Sequence, residues 1–257
     1  MSYSNKSNTF DSPVVTDIEW AGGFEKGYLK RYDRENKCDV PINGPFGFME
    51  LDTRTGVQGF SKANNCGIFS NEVNDQRSEE LEVFSFRDGK KVALQVHNPI
   101  TDEYTDIKPG TYSSIKASVK SAGGKYTSIV YAIVTTSGDE LAKVGSIVRI
   151  NVKGAFLSPY IETGKSGFEV MVDGSKEEKV GGNKFKSPIL QLKPINAEQD
   201  AAANDADEKL QSFFVGYAES KLDRVEGTEV ESEEELYANN PAPQPVPAGE
   251  VEEESPF

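Results

Sequence analysis

The sequence is short of the residues from which most catalytic and metal centres are built. Its 257 residues include two cysteines, Cys38 and Cys66, and one histidine, His97. It contains no Gly-rich phosphate loop ending in Lys-Ser/Thr, no nucleophile elbow and no Cys/His metal spacing. A lone histidine next to Asn98-Pro99 is more typical of a structural role. We therefore expect a protein that is not an enzyme and that uses no metal or other cofactor.

Long apolar runs are also missing. No stretch approaches the roughly 18 apolar residues that a membrane-spanning helix needs, and the polar start of the chain has no apolar signal region. We therefore expect a cytoplasmic protein without a membrane partner. In that reducing compartment the two cysteines are predicted to be free thiols, with a single disulfide as the alternative.

Positive charge is absent from the C-terminal end of the chain. The net charge is −14, yet residues 1–195 contain 25 acidic and 25 basic residues. Residues 196–225 contain seven acidic and three basic residues, and residues 226–257 contain ten Glu with no Lys or Arg. The acidity therefore belongs to the C-terminal end, and a neutral body is compatible with contacts to phosphate groups.

Short segments rich in β-formers fill most of the first 195 residues. Alternation predicts a strand at residues 81–86, and runs of Ile, Val, Tyr and Thr predict another at 126–135. Residues 46–52 and 57–60 are interpreted as two strands joined by a connection at 53–56. The sequence thus predicts a mainly β protein.

One short helix is predicted inside this region, at residues 112–121. Tyr112, Ile115 and Val119 recur along one face, and Gly123-Gly124 follows as a C-terminal cap. A single helix between the third and fourth main strands is typical of the OB fold, a five-stranded partly open barrel. An immunoglobulin-like sandwich is the competing assignment, but it has no natural place for this helix.

The chain divides into four predicted parts. A second helix, at residues 201–221, is indicated by Leu210, Phe213, Phe214 and Tyr217 at helical spacing. Beyond it, Glu-rich and Pro-rich sequence cannot build a core. The parts are a flexible arm (1–13), an OB-like DNA-binding domain with extra strands (14–195), a helical extension (196–225) and a disordered acidic tail (226–257).

The last eight residues, 250–257, combine features that suit recognition by another protein. The terminal Phe257 offers a large apolar ring beside its own carboxylate, behind four Glu on a long tether. A pocket with a hydrophobic floor and a basic rim would bind such an end, and capture of a C-terminal carboxylate is a known recognition mode. A tail that only improves solubility is the alternative.

This ending resembles the acidic tip of bacterial and phage single-stranded DNA-binding proteins, whose tails finish in acids followed by Pro-Phe or Phe. The resemblance implies a phage-encoded protein of DNA replication, recombination or repair in the host cytoplasm. It also implies that the tip recruits a polymerase, primase or helicase and competes with DNA for a basic groove. The tip residues are Glu252, Glu253, Glu254, Pro256 and Phe257. The use of Glu rather than Asp, and Ser255 in place of an apolar residue, depart from the family pattern.

Aromatic and basic residues are interleaved near the start of the body. Single-strand binders need flat rings on which bases stack and cations that follow the phosphate backbone. On a strand, Tyr28, Lys30 and Tyr32 would share one face; the alternative is that Trp20 and Phe24 belong to the core and the cations to a solvated edge. The segment comprises Trp20, Phe24, Lys26, Tyr28, Lys30, Arg31, Tyr32 and Arg34. Weaker candidates for DNA binding are Arg87, Lys90, Lys91, Lys116, Lys120, Lys125, Arg149 and Lys153.

The sequence therefore predicts a protein that coats single-stranded DNA and recruits replication proteins, and a homo-oligomer is compatible with this function. The alternative is a phage structural or scaffold protein whose acidic tail keeps it soluble. That alternative predicts self-assembly and no salt-dependent DNA binding. An enzyme of unrecognised type ranks last.

Overall fold

The computed structural model describes residues 12–226, except residues 24, 34, 63, 88–89, 99–100 and 164–166. Most of the predicted arm and all but the first residue of the predicted acidic tail lie outside this range, and so does the tip. None of the helices within the described range is both long enough and apolar enough to cross a membrane.

The described residues are mainly β, as the sequence predicts. The strands are β1 (Val14–Ala21), β2 (Tyr28–Asp33), β3 (Cys38–Pro41), β4 (Phe46–Ser61), β5 (Cys66–Ser70), β6 (Val83–Arg87), β7 (Lys90–Ala93), β8 (Gln95–Asn98), β9 (Glu103–Asp106), β10 (Gly124–Thr136), β11 (Ile147–Val152), β12 (Phe168–Val180) and β13 (Asn183–Pro194). The α-helices are α1 (Tyr112–Ala122), α2 (Leu157–Glu162) and α3 (Ala197–Glu226). The predicted short helix is confirmed as α1, and Gly123 ends it in the left-handed conformation with φ of 94°.

Eleven of the strands form one mixed sheet that branches at β4. The main path runs β3-β2-β1-β11-β10-β4, in which β1 and β11 are parallel. The first residues of β4 pair with β12, which pairs in turn with β13, and its last residues pair with β5, which leads to β6 and β7. The strands β8 and β9 form a separate hairpin.

The prediction of a hairpin within residues 46–60 is wrong, because β4 is one continuous strand of 16 residues. The segment 53–56 has the composition of a turn, but β10 pairs with β4 along nearly its whole length. Gly56 serves close packing here: a Cβ atom at this position would lie 2.8 Å from Ile129 Cδ1. Pairing with a strand distant in sequence therefore overrides the local turn preference.

The expected five-stranded barrel is also not what the described strands form, because they build a large mixed sheet without a closing ladder. The sheet is nevertheless strongly curled, so that β13 returns to the end of β1. There the Lys186 backbone N–H donates to the Gly22 carbonyl oxygen at 3.0 Å. The indole Nε1 of Trp20 donates to the Lys186 carbonyl oxygen at 2.8 Å.

The described residues form three hydrophobic cores. Core 1 fills the concave side of the curled sheet and includes Phe46, Phe48, Ile150, Phe156 and Tyr160. Core 2 lies between α1 and the strands that follow β4. Core 3 lies on the opposite side of the sheet, where Ala206 and Leu210 of α3 pack on β4, β10 and β11.

The helix α3 begins and ends some residues beyond the predicted limits of 201–221. The apolar stripe expected on it does dock on the sheet: Leu210 is fully buried, and the Phe214 ring packs edge-on against Tyr131. Phe213 instead stacks on Tyr217 along the helix.

Candidate nucleic-acid interface

The side of the sheet that turns away from core 1, here called the outer face, carries seven of the sixteen predicted DNA-binding side chains. Side chains alternate along a strand, and Ile18, Ile150 and Val152 point into core 1. Their neighbours Glu19, Asn151 and Lys153 therefore belong to the outer face. The register Glu19↔Lys30 and Glu19↔Asn151 continues this face from β2 across β1 to β11.

One part of the outer face is a hydrogen-bonded polar network centred on Lys153. Its ammonium group lies 2.8 Å from a Glu19 carboxylate oxygen and 3.0 Å from Gln58 Oε1. The amide of Gln58 in turn donates to Asn151 Oδ1 at 2.9 Å, and both amide side chains are buried. Burial disfavours the charged form of Glu19, but Lys153, Lys30 and Arg149 outweigh this effect and lower the pKa of Glu19 below its ordinary value.

A second network lies beside α3. Arg149 contacts Asp17 at 3.4 Å and Glu72 at 3.0 Å, and the Tyr131 hydroxyl donates to the other Glu72 oxygen at 2.6 Å. Burial, together with the neighbouring Glu72 carboxylate, raises the pKa of Tyr131 well above its ordinary value. Arg149 is thus neutralised by two carboxylates in this conformation.

The helix α3 covers the adjacent part of the outer face. The guanidinium of Arg54 lies 3.5 Å from the centroid of the Phe214 ring, an arrangement that attracts a cation to the π face. Arg54 also pairs with Asp52 at 3.2 Å. The helix therefore covers the outer face around Arg54, and the face continues past Lys153 towards β5 and β6.

An aromatic cluster occupies this continuation of the outer face. Phe69 is directly opposite Phe84 in the ladder, and Phe86 lies two residues further along β6. The three ring centroids are 5.6–6.3 Å apart. Lys91 Nζ lies 4.5 Å above the Phe84 ring. Phe69 and Phe84 are buried, whereas Phe86 is partly exposed.

Gln58 connects this cluster to the cations. Phe69 follows Ile68, which pairs with Gly59, so Phe69 lies next to Gln58 across the β4–β5 boundary. Lys125 is the direct partner of Gln58 on the other neighbouring strand, β10. We call this group the aromatic–basic surface; it consists of Gln58, Phe69, Phe84, Phe86, Lys91, Lys125 and Lys153.

The structure thus brings together Lys91, Lys125 and Lys153 from the predicted set and adds phenylalanines that the sequence reasoning did not single out. A signal for two of them was present in the strand 81–86. There Phe84 and Phe86 alternate with the core residue Val83 and share the phase of the exposed Glu82. Aromatic rings that share the phase of an exposed charge, and not that of the core, indicate an aromatic patch on the other face of the strand, of which Phe86 is the partly exposed member.

The predicted N-terminal segment is divided between the two sides of the sheet. Trp20 packs against core 1 with its ring centroid 6.0 Å from that of Phe156. Arg31 points to the same side and is bound by both carboxylate oxygens of Asp139 at 3.0 Å. The outer face receives Tyr28, Lys30 and Tyr32, which share one face of β2 as predicted; Lys30 contacts Asp39 at 2.6 Å. Lys26 lies in the connection between β1 and β2, and residues 24 and 34 are outside the described range.

The remaining predicted cations lie around the end of β6 and on α1. Arg87 is exposed and is the direct cross-strand partner of the exposed Lys90. Lys116 and Lys120 are on α1, which ends where β10 begins. Lys120 in the last turn of α1 is therefore near in sequence to Lys125, while Lys116 lies one turn earlier.

Two further expectations concern cysteines and metals. Cys38 and Cys66 are free thiols, as predicted. Among the described residues, no three His, Cys, Asp or Glu side chains are grouped so that they could hold a metal ion.

Comparison with known proteins identifies no relative of this chain. The chain was compared with protein-family models, with curated protein sequences and with solved structures, and no match was found in any of the three. The function is therefore inferred from the residues and contacts of this chain.

Proposed function

We propose that this protein binds single-stranded DNA across the aromatic–basic surface and recruits replication proteins through its C-terminal tip. The observation that carries the proposal is the contiguity of the phenylalanine cluster with Lys91, Lys125 and Lys153 around Gln58. Rings offer stacking to any base, and lysines follow the phosphates, so this combination suits an unpaired strand without sequence preference.

Within the surface, Phe86 is the ring on which a base would stack. It retains exposed area, while Phe69 and Phe84 hold it in place from the side. A ring that is already fixed by its neighbours loses little conformational freedom when a base stacks on it. Lys125 and Lys153 both lie on the β10 side of the neighbouring Gln58 and would supply cations for the phosphates next to the stacked base.

We also propose that the curled part of the sheet is OB-like. This proposal is supported by the bond from Lys186 to Gly22, which brings β13 to the end of β1, and by α1, which precedes β10. In OB folds the ligand lies on the outer side of the barrel strands, between flanking loops. The outer face corresponds to that side.

The acidic tail has the opposite charge to this surface. Residues 226–257 carry ten negative charges and no positive ones. We propose that the tail competes with DNA when it is not engaged by a partner, and that Phe257 with its carboxylate is the group that the partner captures.

The decisive experiment is an anisotropy titration of a labelled oligo-dT against a duplex of equal length, at low ionic strength. We expect the full-length protein to prefer oligo-dT, and the Phe86→Ala variant to bind it about tenfold more weakly, because stacking is worth roughly 1–3 kcal/mol per base. The Phe86→Tyr variant should retain binding.

Phe168→Ala is the matched control, because Phe168 is an exposed phenylalanine on β12, away from the aromatic–basic surface. It should bind oligo-dT like the wild type. If the protein ignores oligo-dT even at low salt, or if the Phe86 and Phe168 variants bind equally well, the proposed function is wrong.

A further inference from the structure

The hairpin formed by β12 and β13 continues well beyond core 1. Val172 is the last core residue on β12, and Leu190 packs on the same core from β13. Between them the ladder extends from the pair Ser175↔Pro188 to the pair Val180↔Asn183. We call residues 175–188 the hairpin arm.

The arm ends in a tight turn. Gly181 and Gly182 have φ of +57° and +93° and directly separate the last paired residues of the two strands. Two successive residues with positive φ characterise the two-residue turns whose twist matches that of the strands, and glycine adopts this conformation without strain. The arm is therefore a well-defined two-stranded ribbon.

Two positive charges lie directly opposite each other on the arm. Lys179 and Lys184 are direct cross-strand partners. Like charges in directly opposite positions destabilise a ladder, because the Cβ atoms of such a pair are about 5 Å apart. An anion placed between the two ammonium groups would relieve the repulsion between them.

The acidic residues of the arm do not balance its lysines. Glu177 pairs with Lys184 at 3.0 Å, and Glu178 pairs with Lys176 at 2.7 Å. The arm carries four lysines against these two glutamates, which leaves an excess of two positive charges. The four are Lys176, Lys179, Lys184 and Lys186.

The excess lies on one side of the ribbon. Alternation places Lys179, Lys184 and Lys186 on the same side, together with Glu177. This side faces the connection between β1 and β2, because a Cβ atom on Gly27 would lie 2.6 Å from Ser175 Oγ and 2.8 Å from Lys186 Cδ.

The arm is fixed to that connection by its backbone. The Lys186 N–H donates to the Gly22 carbonyl oxygen, and the Trp20 indole donates to the Lys186 carbonyl oxygen. Lys186 is thereby held beside the predicted N-terminal binding segment, which includes Lys26 and Tyr28, and Lys184 and Lys179 follow it towards the turn of the arm. A binding element held in place in this way loses little freedom when its ligand binds.

We propose that the hairpin arm is a second contact site for single-stranded DNA, in which Lys179, Lys184 and Lys186 bind the phosphate backbone. This inference rests on the proposed function: bases stack at the aromatic–basic surface, and the arm holds phosphates of the same strand. Lysine ammonium groups bind phosphate as point charges and need no particular base.

The test uses full-length protein and the substitution Lys179→Glu, alone and combined with Lys184→Glu. For oligo-dT, the plot of log Kd against log salt should lose about 0.7 of its slope for each phosphate contact removed, hence about 1.4 for the double variant. The single substitution also replaces repulsion across the ladder by attraction. We therefore expect its Tm to rise, on the order of 1–2 °C, while its DNA affinity falls.

Lys176→Glu is the matched control, because it changes the net charge equally on the opposite side of the same strand. It should leave the salt slope nearly unchanged. If Lys176→Glu and Lys179→Glu lower the salt slope equally, the effect is due to net charge alone and the arm is not a binding site. If the wild type binds oligo-dT and Lys179→Glu binds it equally well, the arm is not a binding site, but the proposed function stands. If the wild type does not bind oligo-dT, the proposed function is wrong and the arm proposal with it.

Discussion

Lys153 lies at the centre of the outer face and shows how individual charges are held there. Its ammonium group is bound by Glu19 and Gln58, and Gln58 is held by the buried Asn151. Buried polar groups require hydrogen-bond partners, and the partners in this network come from different strands. The lysine is thus fixed in position and neutralised by Glu19; in the proposed function, a phosphate would have to take the place of that carboxylate.

Glu19 should therefore link stability to pH. Its pKa in the folded protein lies below the ordinary value of 4.5, so its contribution is fully present above about pH 4.5 and is lost as the pH falls through the lowered folded-state pKa. The Glu19→Gln variant removes this contribution. We expect the difference in free energy of unfolding between wild type and variant to shrink as the pH falls from 6 towards 3, measured by urea denaturation.

The exposed Glu25 provides the control for this experiment. Glu25→Gln should differ little from the wild type at any pH. A difference between wild type and Glu19→Gln that stays constant down to pH 3 would contradict the stabilising role of the Glu19 carboxylate.

Among the elements, β4 determines the architecture. It pairs with β10 along one edge, and its other edge is shared between β12 at the start and β5 at the end. The strand thereby joins core 1 to core 2 and carries Gln58 at the junction. At this junction the backbones of β4 and β10 approach closely, because Gly59 pairs with Gly124, just after the end of α1.

Gly59→Ala should test this approach. A Cβ atom at Gly59 would lie 2.3 Å from the Gly123 carbonyl oxygen and 2.9 Å from Gly124 Cα, both backbone atoms that cannot move aside separately. We expect a loss of roughly 1–3 kcal/mol in the free energy of unfolding, the usual cost of overpacking, measured by urea denaturation.

Gly138→Ala is the comparison variant, because its nearest neighbour would be the Asn43 carbonyl oxygen at 3.4 Å. It should change the free energy of unfolding by less than about 0.5 kcal/mol. Equal stabilities for the two alanine variants would show that the contact between β4 and the end of α1 is loose.

For the whole molecule, segregation of charge is the dominant property. The first 195 residues contain 25 acidic and 25 basic residues, whereas the charged side chains of residues 226–257 are all acidic. Within the described range, cations of the outer face are already paired with carboxylates of the body, as Arg149 is with Asp17 and Glu72. In the proposed function, DNA therefore has to compete both with these internal carboxylates and with the tail.

Deletion of residues 226–257 should tighten binding of oligo-dT at low salt, because a competitor with ten negative charges is removed. The effect should fade as salt screens the charges. Deletion of Pro256 and Phe257 alone should leave DNA affinity unchanged and abolish capture of a replication partner. Unchanged or weaker DNA binding after the long deletion would refute competition by the tail.

Local patterns in the sequence predict a large part of this molecule. Alternation and β-formers indicated the mainly β character, the spacing of Tyr112, Ile115 and Val119 with the following glycines indicated α1, and the apolar stripe around Leu210 indicated α3. These features depend on residues close together in the chain. The acidity of the C-terminal end is likewise a property of composition alone.

Only the tertiary structure decided which residues share a surface. The continuity of β4 depends on β10, the pairing of Lys153 with Glu19 spans 134 residues, and Arg31 meets Asp139 across 108 residues. The phenylalanine cluster likewise forms because β5 and β6 pair in one register. Such contacts between distant segments depend on which strands pair and in which register, and the alternation within one strand specifies its buried face but not its partner.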